Sequence, residues 1–543
     1  MVVRSFNTTG PCVLSDHYMI PASARLPEVP DLVEHSKYFV LHAPRQTGKT
    51  TALRALAAEL TAGGRYAAVV LSMEAGQPWT DDIGAATRAI LTGAGRTARI
   101  NLPADLRPPP WPNSWDEGLL SDAFAVWAEA CPRPLVLFLD EIDSLGGRTL
   151  LSVLRQLRDG FADRPTGFPA SVALCGLRDV RDCHSREIAS RSLGSPEVAS
   201  GGDPTTLTSP SPFNIAVASL RLSDFTLDEV QELYGQHTTE TGQRFTPQAV
   251  EYAYALTMGQ PWLVNALAYE IINRMAVPAA RSITNDDVDE AAERIIVARA
   301  THVDSLLDKL RDRRVRRIIE PILAGTEVRF DPFADDLAYT VDLGLVRRTA
   351  STVEIANPIY RNVITRVLAD GLFEGVVGAP QSRSFVLPDG RLDLDGLLAR
   401  FAEFWHNSED LLQADVPYRE VTPHVTLLGY LDRAINGSGF VDREYGVGRG
   451  ALDLLIRWNH TGPEGKPVVQ RQALEVKTHR PGDPDPTFAG ISQLDGYLLR
   501  LGLPDGHLVI FDQRPAERKR VATELGAQTT TSPSGRTITT VRI

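Results

Sequence analysis

The stretch Tyr38-Phe-Val-Leu-His-Ala43-Pro44-Arg45-Gln46-Thr47-Gly48-Lys49-Thr50 decides the architecture of the N-terminal half of the chain. Its first part is mostly apolar and reads as a strand covered on both faces. Its last part runs into TTALRALAAELTAGG, where Leu53, Leu56, Ala57 and Leu60 recur at helical spacing and Gly63-Gly64 supplies the stop. A strand that feeds a helix through a tight turn surrounds an anion with backbone N–H groups and a helix N-terminus. The residues Pro44, Arg45, Gln46, Thr47 and Gly48 form that turn, with Ala43 where the phosphate-loop pattern usually begins with glycine. Lys49 is placed to reach β and γ phosphates, and the Thr50 hydroxyl to bind Mg²⁺.

Working outward, YAAVVLS (66–72), LVLFLD (135–140) and SVALCG (171–176) repeat the same near-continuous apolar pattern, separated by longer amphipathic stretches. Strands and crossover helices in alternation predict an α/β fold with a parallel sheet. The strand LVLFLD ends in Asp140-Glu141: Asp140 is placed to hold Mg²⁺ through water, and Glu141 to orient or deprotonate an attacking water. Residues 185–212, rich in Ser, Gly, Pro and Thr, read as a surface loop. The expected organisation is an N-terminal segment (1–30), a nucleotide-binding core (31–213), a helical lid (214–300), a winged-helix-like domain (301–370), a linker (371–390) and a second α/β domain (391–543).

These N-terminal residues resemble AAA-like and STAND-type P-loop ATPases, in the branch with archaeal ATPases and origin-recognition-like proteins, from about Phe6 to Arg366. The resemblance implies ATP and Mg²⁺ as cofactors and assembly into a homo-oligomer through this domain. It also implies a γ-phosphate sensor after the fourth strand, for which Arg178 is the nearest match. The Gly259-Gln-Pro261 of MGQPWLVNALA matches the Gly-x-Pro of the STAND lid, although proline also simply suits a first helical turn.

The C-terminal stretch GVGRGALDLLIRW, a polar hairpin and QRQALEVKTH resemble the PD-(D/E)xK nucleases over about the last 130 residues. Asp453 takes the place of the motif's Asp, Glu475-Val-Lys477 its (D/E)xK, and Ala451-Leu452 replaces its Pro. On an extended strand Glu475 and Lys477 point to one face. Asp453 on the neighbouring strand and Glu475 form a candidate pair of carboxylate ligands for Mg²⁺ or Mn²⁺. The resemblance implies a further acid at the metal, Glu420, with Glu403 and Glu409 as competitors. It also places Gln493, at helical spacing from Tyr497, beside the catalytic residues.

Composition bounds the rest. The chain has 543 residues, 43% hydrophobic and 23% charged, and a formal charge of −12. That is ordinary for several globular domains and unlike a protein coated in nucleic acid. The basic run at Arg311–Arg317 reads either as a local phosphate-binding surface or as a solvated helix face. No membrane span, signal peptide or disulfide pattern is read, so a cytoplasmic location is expected. The combined expectation is an ATP-dependent switch that controls cleavage of nucleic acid, DNA in the first instance. The alternative is a regulatory or scaffold NTPase that binds nucleic acid or protein without cutting it.

Overall fold

The computed structural model describes residues 4–177, 215–297, 309–323, 327–373, 385–414, 422–435, 439–447, 450–462, 465–514 and 527–543. The chain divides into two compact units, Met1–Ile295 with Tyr339–Gly344, and Ile296–Ala338 with Leu345–Ile543.

In the first unit, β1 (Tyr38–His42), β2 (Ala67–Ser72), β3 (Leu135–Asp140), β4 (Ser171–Gly176) and β5 (Ala216–Arg221) form a five-stranded sheet in the order β2-β3-β4-β1-β5. All neighbours are parallel. The continuous apolar strands have a simple cause. Leu135, Leu137 and Leu139 of β3 join a cluster with Ile90, Phe124 and Trp127. Val136 and Phe138, pointing the other way, join Leu53, Leu56 and Val33. Helices therefore cover both faces, and every strand position needs an apolar side chain. The chain passes from β4 to β5 across β1, so the crevice beyond the carboxyl end of β1 is a topological switch point, where open parallel sheets bind ligands.

The fifth strand is absent from the sequence-based expectation. β5 has an edge position and the sequence AVASLR, with Val217 56% exposed, so it carries neither a buried run nor strict alternation. The segment expected as a helical lid contains helices Leu227–Thr241, Pro247–Thr257, Pro261–Tyr269 and Asn285–Val297. The N-terminal residues are built into it. Phe6 and Tyr18 pack with Tyr234, His237 and Phe245, and Arg4 pairs with Glu240 at 2.6 Å.

The second unit opens with helix Arg313–Leu323, a three-stranded antiparallel sheet of β6 (Val328–Arg329), β7 (Val346–Arg348) and β8 (Thr352–Ile355), and helix Pro358–Phe373. Val315 and Ile319 of the basic run are buried. Arg314 and Arg317 reach Asp336 at 2.8 and 3.5 Å, so part of that positive charge is already matched within the fold.

A six-stranded mixed sheet follows: β9 (Gly439–Val447), β10 (Gly450–Thr461), β11 (Pro467–His479), β12 (Asp505–Asp512), β13 (Gln528–Thr531) and β14 (Thr537–Arg542), in the order β13-β14-β12-β11-β10-β9. β9, β10 and β11 are antiparallel, whereas β11, β12 and β14 run parallel. The parallel step from β11 to β12 requires a crossover, supplied by helix Thr487–Leu501. One face carries Leu455, Ala473, Leu508 and Ile510 against Leu494 and Leu498 of that helix. The other carries Leu454, Leu474, Val476 and Phe511 against Leu397, Phe401 and Leu431. Phe385 is buried in this second cluster, and the Trp458 indole donates to Gly390 O at 2.9 Å, so residues 385–390 belong to the packed body rather than to the expected linker.

Candidate functional site

The phosphate loop owes its shape to two left-handed residues, Gln46 (φ 62°) and Gly48 (φ 81°), which turn the chain between β1 and helix Lys49–Ala62. Thr47 Oγ1 donates to Pro44 O at 3.0 Å inside the loop. The Thr50 hydroxyl donates to Asp140 Oδ2 at 2.7 Å, and Lys49 Nζ stands 3.9 Å from Asp140 Oδ1. The parallel sheet thus brings together the two halves of the site that the sequence holds 90 residues apart. Glu141 follows in the left-handed region, its Oε2 accepting a hydrogen bond from Ser72 Oγ at 2.9 Å. Burial raises the Glu141 carboxyl above its ordinary value, against the pull of that bond. Lys49, Thr50, Asp140 and Glu141 line a cleft of about 980 Å³, to which Pro261 and N-terminal residues such as Asn7 also contribute. A hydroxyl, a carboxylate, an ammonium group and a helix N-terminus gathered at one loop suit a Mg²⁺-polyphosphate.

The second cluster lies in the C-terminal sheet. Register places Leu455 opposite Ala473 and Leu454 opposite Leu474, so Asp453 reaches the Glu475 position at the end of the paired stretch. Asp453 Oδ2 accepts from the Val476 N–H at 2.7 Å. Glu475 is fully buried. Its Oε1 accepts from Lys477 Nζ at 2.7 Å, while its Oε2 has no hydrogen-bond partner among the described residues. Lys477 also donates to Gln493 Oε1 at 3.0 Å, and Gln493 Nε2 donates to the Tyr497 hydroxyl at 3.3 Å. The expected shared face of Glu475 and Lys477 is observed, and helix Thr487–Leu501 supplies its roof. Burial, followed by the Asp453 charge, pushes the Glu475 carboxyl up to about 7. A buried acid oxygen with no donor, beside a second carboxylate, fits a hard dication, which would provide the missing positive charge. Among the described residues no group of three or more His, Cys, Asp or Glu side chains is arranged to hold a metal ion.

The sequence profile of the AAA family, ATPases associated with various cellular activities, matches residues 39–172. These residues are an AAA-type ATPase domain. Solved structures to which the chain is similar include the Walker-type ATPase paby2304 of Pyrococcus abyssi, 14% identical, covering 66% of this chain and 99% of that one at a TM-score of 0.45. The Aeropyrum pernix ORC2 protein is 13% identical over 65% of this chain and 92% of its own, at a TM-score of 0.35. The Thermotoga maritima RuvB branch migration motor is 18% identical over 63% and 92%, at 0.33. No curated protein matches the chain.

An AAA domain binds nucleotide, typically with Mg²⁺. Pro44, Arg45, Gln46, Thr47 and Gly48 sit on the loop between β1 and helix Lys49–Ala62, and Pro261 is buried as the first residue of helix Pro261–Tyr269 at the edge of the cleft. Arg178 and Glu420 lie outside the described residues. Glu403, one of the two competitors to Glu420, is exposed and pairs with Arg400 at 2.8 Å. Three residues at the nucleotide cleft carry no sequence signal: Ser72 on Glu141, Arg25 on Thr47 O at 2.9 Å, and Gln260 on Gln46 O at 3.4 Å. Each comes from an element distant in sequence from its partner. No helix among the described residues is long and apolar enough to cross a membrane.

Proposed function

We propose that the AAA domain is an ATP-hydrolysing switch that controls metal-dependent cleavage of nucleic acid, DNA in the first instance, by the C-terminal unit. The observation that carries this reading is the buried Glu475, with one oxygen on Lys477, the other without a hydrogen-bond partner among the described residues, and Asp453 beside it. The order of Asp453, Glu475-x-Lys477 and Gln493/Tyr497 matches the PD-(D/E)xK pattern.

Asp453 and Glu475 would hold Mg²⁺ or Mn²⁺, which when bound acidifies water and stabilises the leaving oxygen. Lys477, fixed by Glu475 and Gln493, orients the attacking water and offsets negative charge at the phosphorane. In the AAA domain Lys49 would contact the β and γ phosphates, Thr50 and Asp140 would hold Mg²⁺, and Glu141 would align water on the γ-phosphate. The helices of residues 227–297 act as a STAND-type lid over that nucleotide. The three-stranded element with helices Arg313–Leu323 and Pro358–Phe373 acts as a winged helix. Homo-oligomers form through the AAA domain.

The test is cleavage of DNA and RNA, single- and double-stranded, with Mg²⁺ or Mn²⁺ and with or without ATP. Lys477→Ala is expected to lose cleavage by a factor of about 100 or more while still binding ATP. Lys49→Ala is expected to lose nucleotide binding and, with it, any dependence of cleavage on ATP. Absence of cleavage by the wild-type protein under every condition would replace this reading with a regulatory NTPase.

A further inference from the structure

A phosphate nest works only when consecutive backbone N–H groups converge on the anion. In a trans peptide the carbonyl and the following N–H point in opposite directions. Whatever holds a loop carbonyl outward therefore holds the next N–H inward. Three carbonyls of this phosphate loop are held in this way. Thr47 Oγ1 on Pro44 O sets the Arg45 N–H and belongs to the loop itself. The other two are held from outside it. Gln260 Nε2 on Gln46 O sets the Thr47 N–H, and Arg25 Nη1 on Thr47 O sets the Gly48 N–H.

Both outside residues are tied to the helical segment. The Gln260 side-chain oxygen accepts from the Leu263 N–H at 2.6 Å, capping helix Pro261–Tyr269, so one amide joins that helix to the loop. The second guanidinium nitrogen of Arg25, Nη2, donates to Ser223 O at 2.5 Å, in the turn between β5 and helix Leu227–Thr241, and its guanidinium lies over the Phe225 ring. The Phe225 N–H in turn donates to Gly259 O at 2.8 Å, closing the circuit beside Gln260. Removing the helical segment from the AAA domain would therefore release two of the three carbonyls.

We propose that Arg25 and Gln260 are positioning residues that shape the phosphate loop only while the helical segment is docked, so that polyphosphate binding and docking are one coupled event. By linkage, ATP must favour the docked state by the same factor that docking favours ATP. Both residues act through the direction of an N–H group.

The inference rests on the phosphate-loop reading, and its test separates the two. Gln260→Ser keeps an oxygen that caps the helix but is too short to reach Gln46. We expect its ATP affinity to fall by about five- to ten-fold, the range for one net hydrogen bond, with the nucleotide-free protein still folding cooperatively. Arg25→Lys, which keeps one donor, is expected between wild type and Arg25→Gln. At saturating ATP, hydrogen exchange in helix Pro261–Tyr269 should slow less in Gln260→Ser than in wild type. Wild-type ATP affinity in Gln260→Ser, or full ATP-induced slowing there, overturns the inference alone. A wild-type protein that binds no ATP overturns the phosphate-loop reading with it.

Discussion

At Gly259 the backbone passes so close to its neighbour that a Cβ atom would stand 1.8 Å from Phe225 O, and φ is +77°. Gly242 has almost the same φ, +79°, but open space around it. The two positions separate strain from collision. Gly242→Ala should cost about 1 kcal/mol, the penalty for a side chain in the left-handed region. Gly259→Ala should cost about 3 kcal/mol or more, because the backbone contact beside Gln260 must also open. Chemical denaturation of both variants measures the difference, and equal costs would show that the Phe225 contact yields freely. At this scale the site was legible wherever local spacing has chemical meaning. Gly48-Lys49-Thr50, Asp140-Glu141 and Glu475-x-Lys477 are short patterns whose geometry follows from a turn or a strand. Arg25, Ser72 and Gln260 were not legible, because a lone arginine, serine or glutamine acquires its partner only when distant elements meet.

At the scale of elements, helix Leu227–Thr241 begins with a complete capping box, in which Thr226 accepts from the Glu229 N–H and Glu229 accepts from the Thr226 N–H. Thr226→Ala removes one half of the reciprocal pair and should cost about 1 kcal/mol. Hydrogen exchange in the first turn of that helix should rise, while helix Pro247–Thr257, with its own cap at Thr246, stays protected. Faster exchange in both helices would mean that the cap supports the whole segment. The contrast between β3 and β5 shows what made an element readable. β3 is covered by helices on both faces and so is written almost wholly in large apolar residues. β5 sits at an edge, where Ala216, Ala218 and Leu220 pack only partly buried against the interiors, and its backbone bonds to β1 leave no mark on side-chain identity. The basic run at Arg311–Arg317 shows the opposite failure. Its charge is conspicuous in the sequence, yet Asp336, 19 residues beyond Arg317, takes up part of it.

Across the whole molecule, the first unit has its apolar interiors around the parallel sheet and the second has its own around the mixed sheet. Ligand binding should therefore register unevenly. At a hundred times its dissociation constant, ATP stabilises what it binds by about 2.7 kcal/mol. Calorimetry should show that increment in the transition that contains the AAA domain, with a smaller shift, or none, in the other. An equal rise in both would mean that the units unfold as one. The division into an ATPase core and a later α/β domain was visible in the sequence because two separate sets of motifs, Gly48-Lys49-Thr50 with Asp140-Glu141 and Asp453 with Glu475-x-Lys477, lie far apart along the chain. The interior position of β14 was not, since the pairing of β14 with β12 joins residues that share no local motif. That strand has a consequence for biosynthesis. β14 lies between β12 and β13, and its Arg542 bonds Asp485 at 2.7 Å and meets His479 at the end of the strand that carries Lys477. On the ribosome, earlier domains form while later residues are still being added. The mixed sheet must then wait for residues 537–542, so a stalled or frameshifted translation product would carry a finished AAA domain and an unclosed C-terminal sheet.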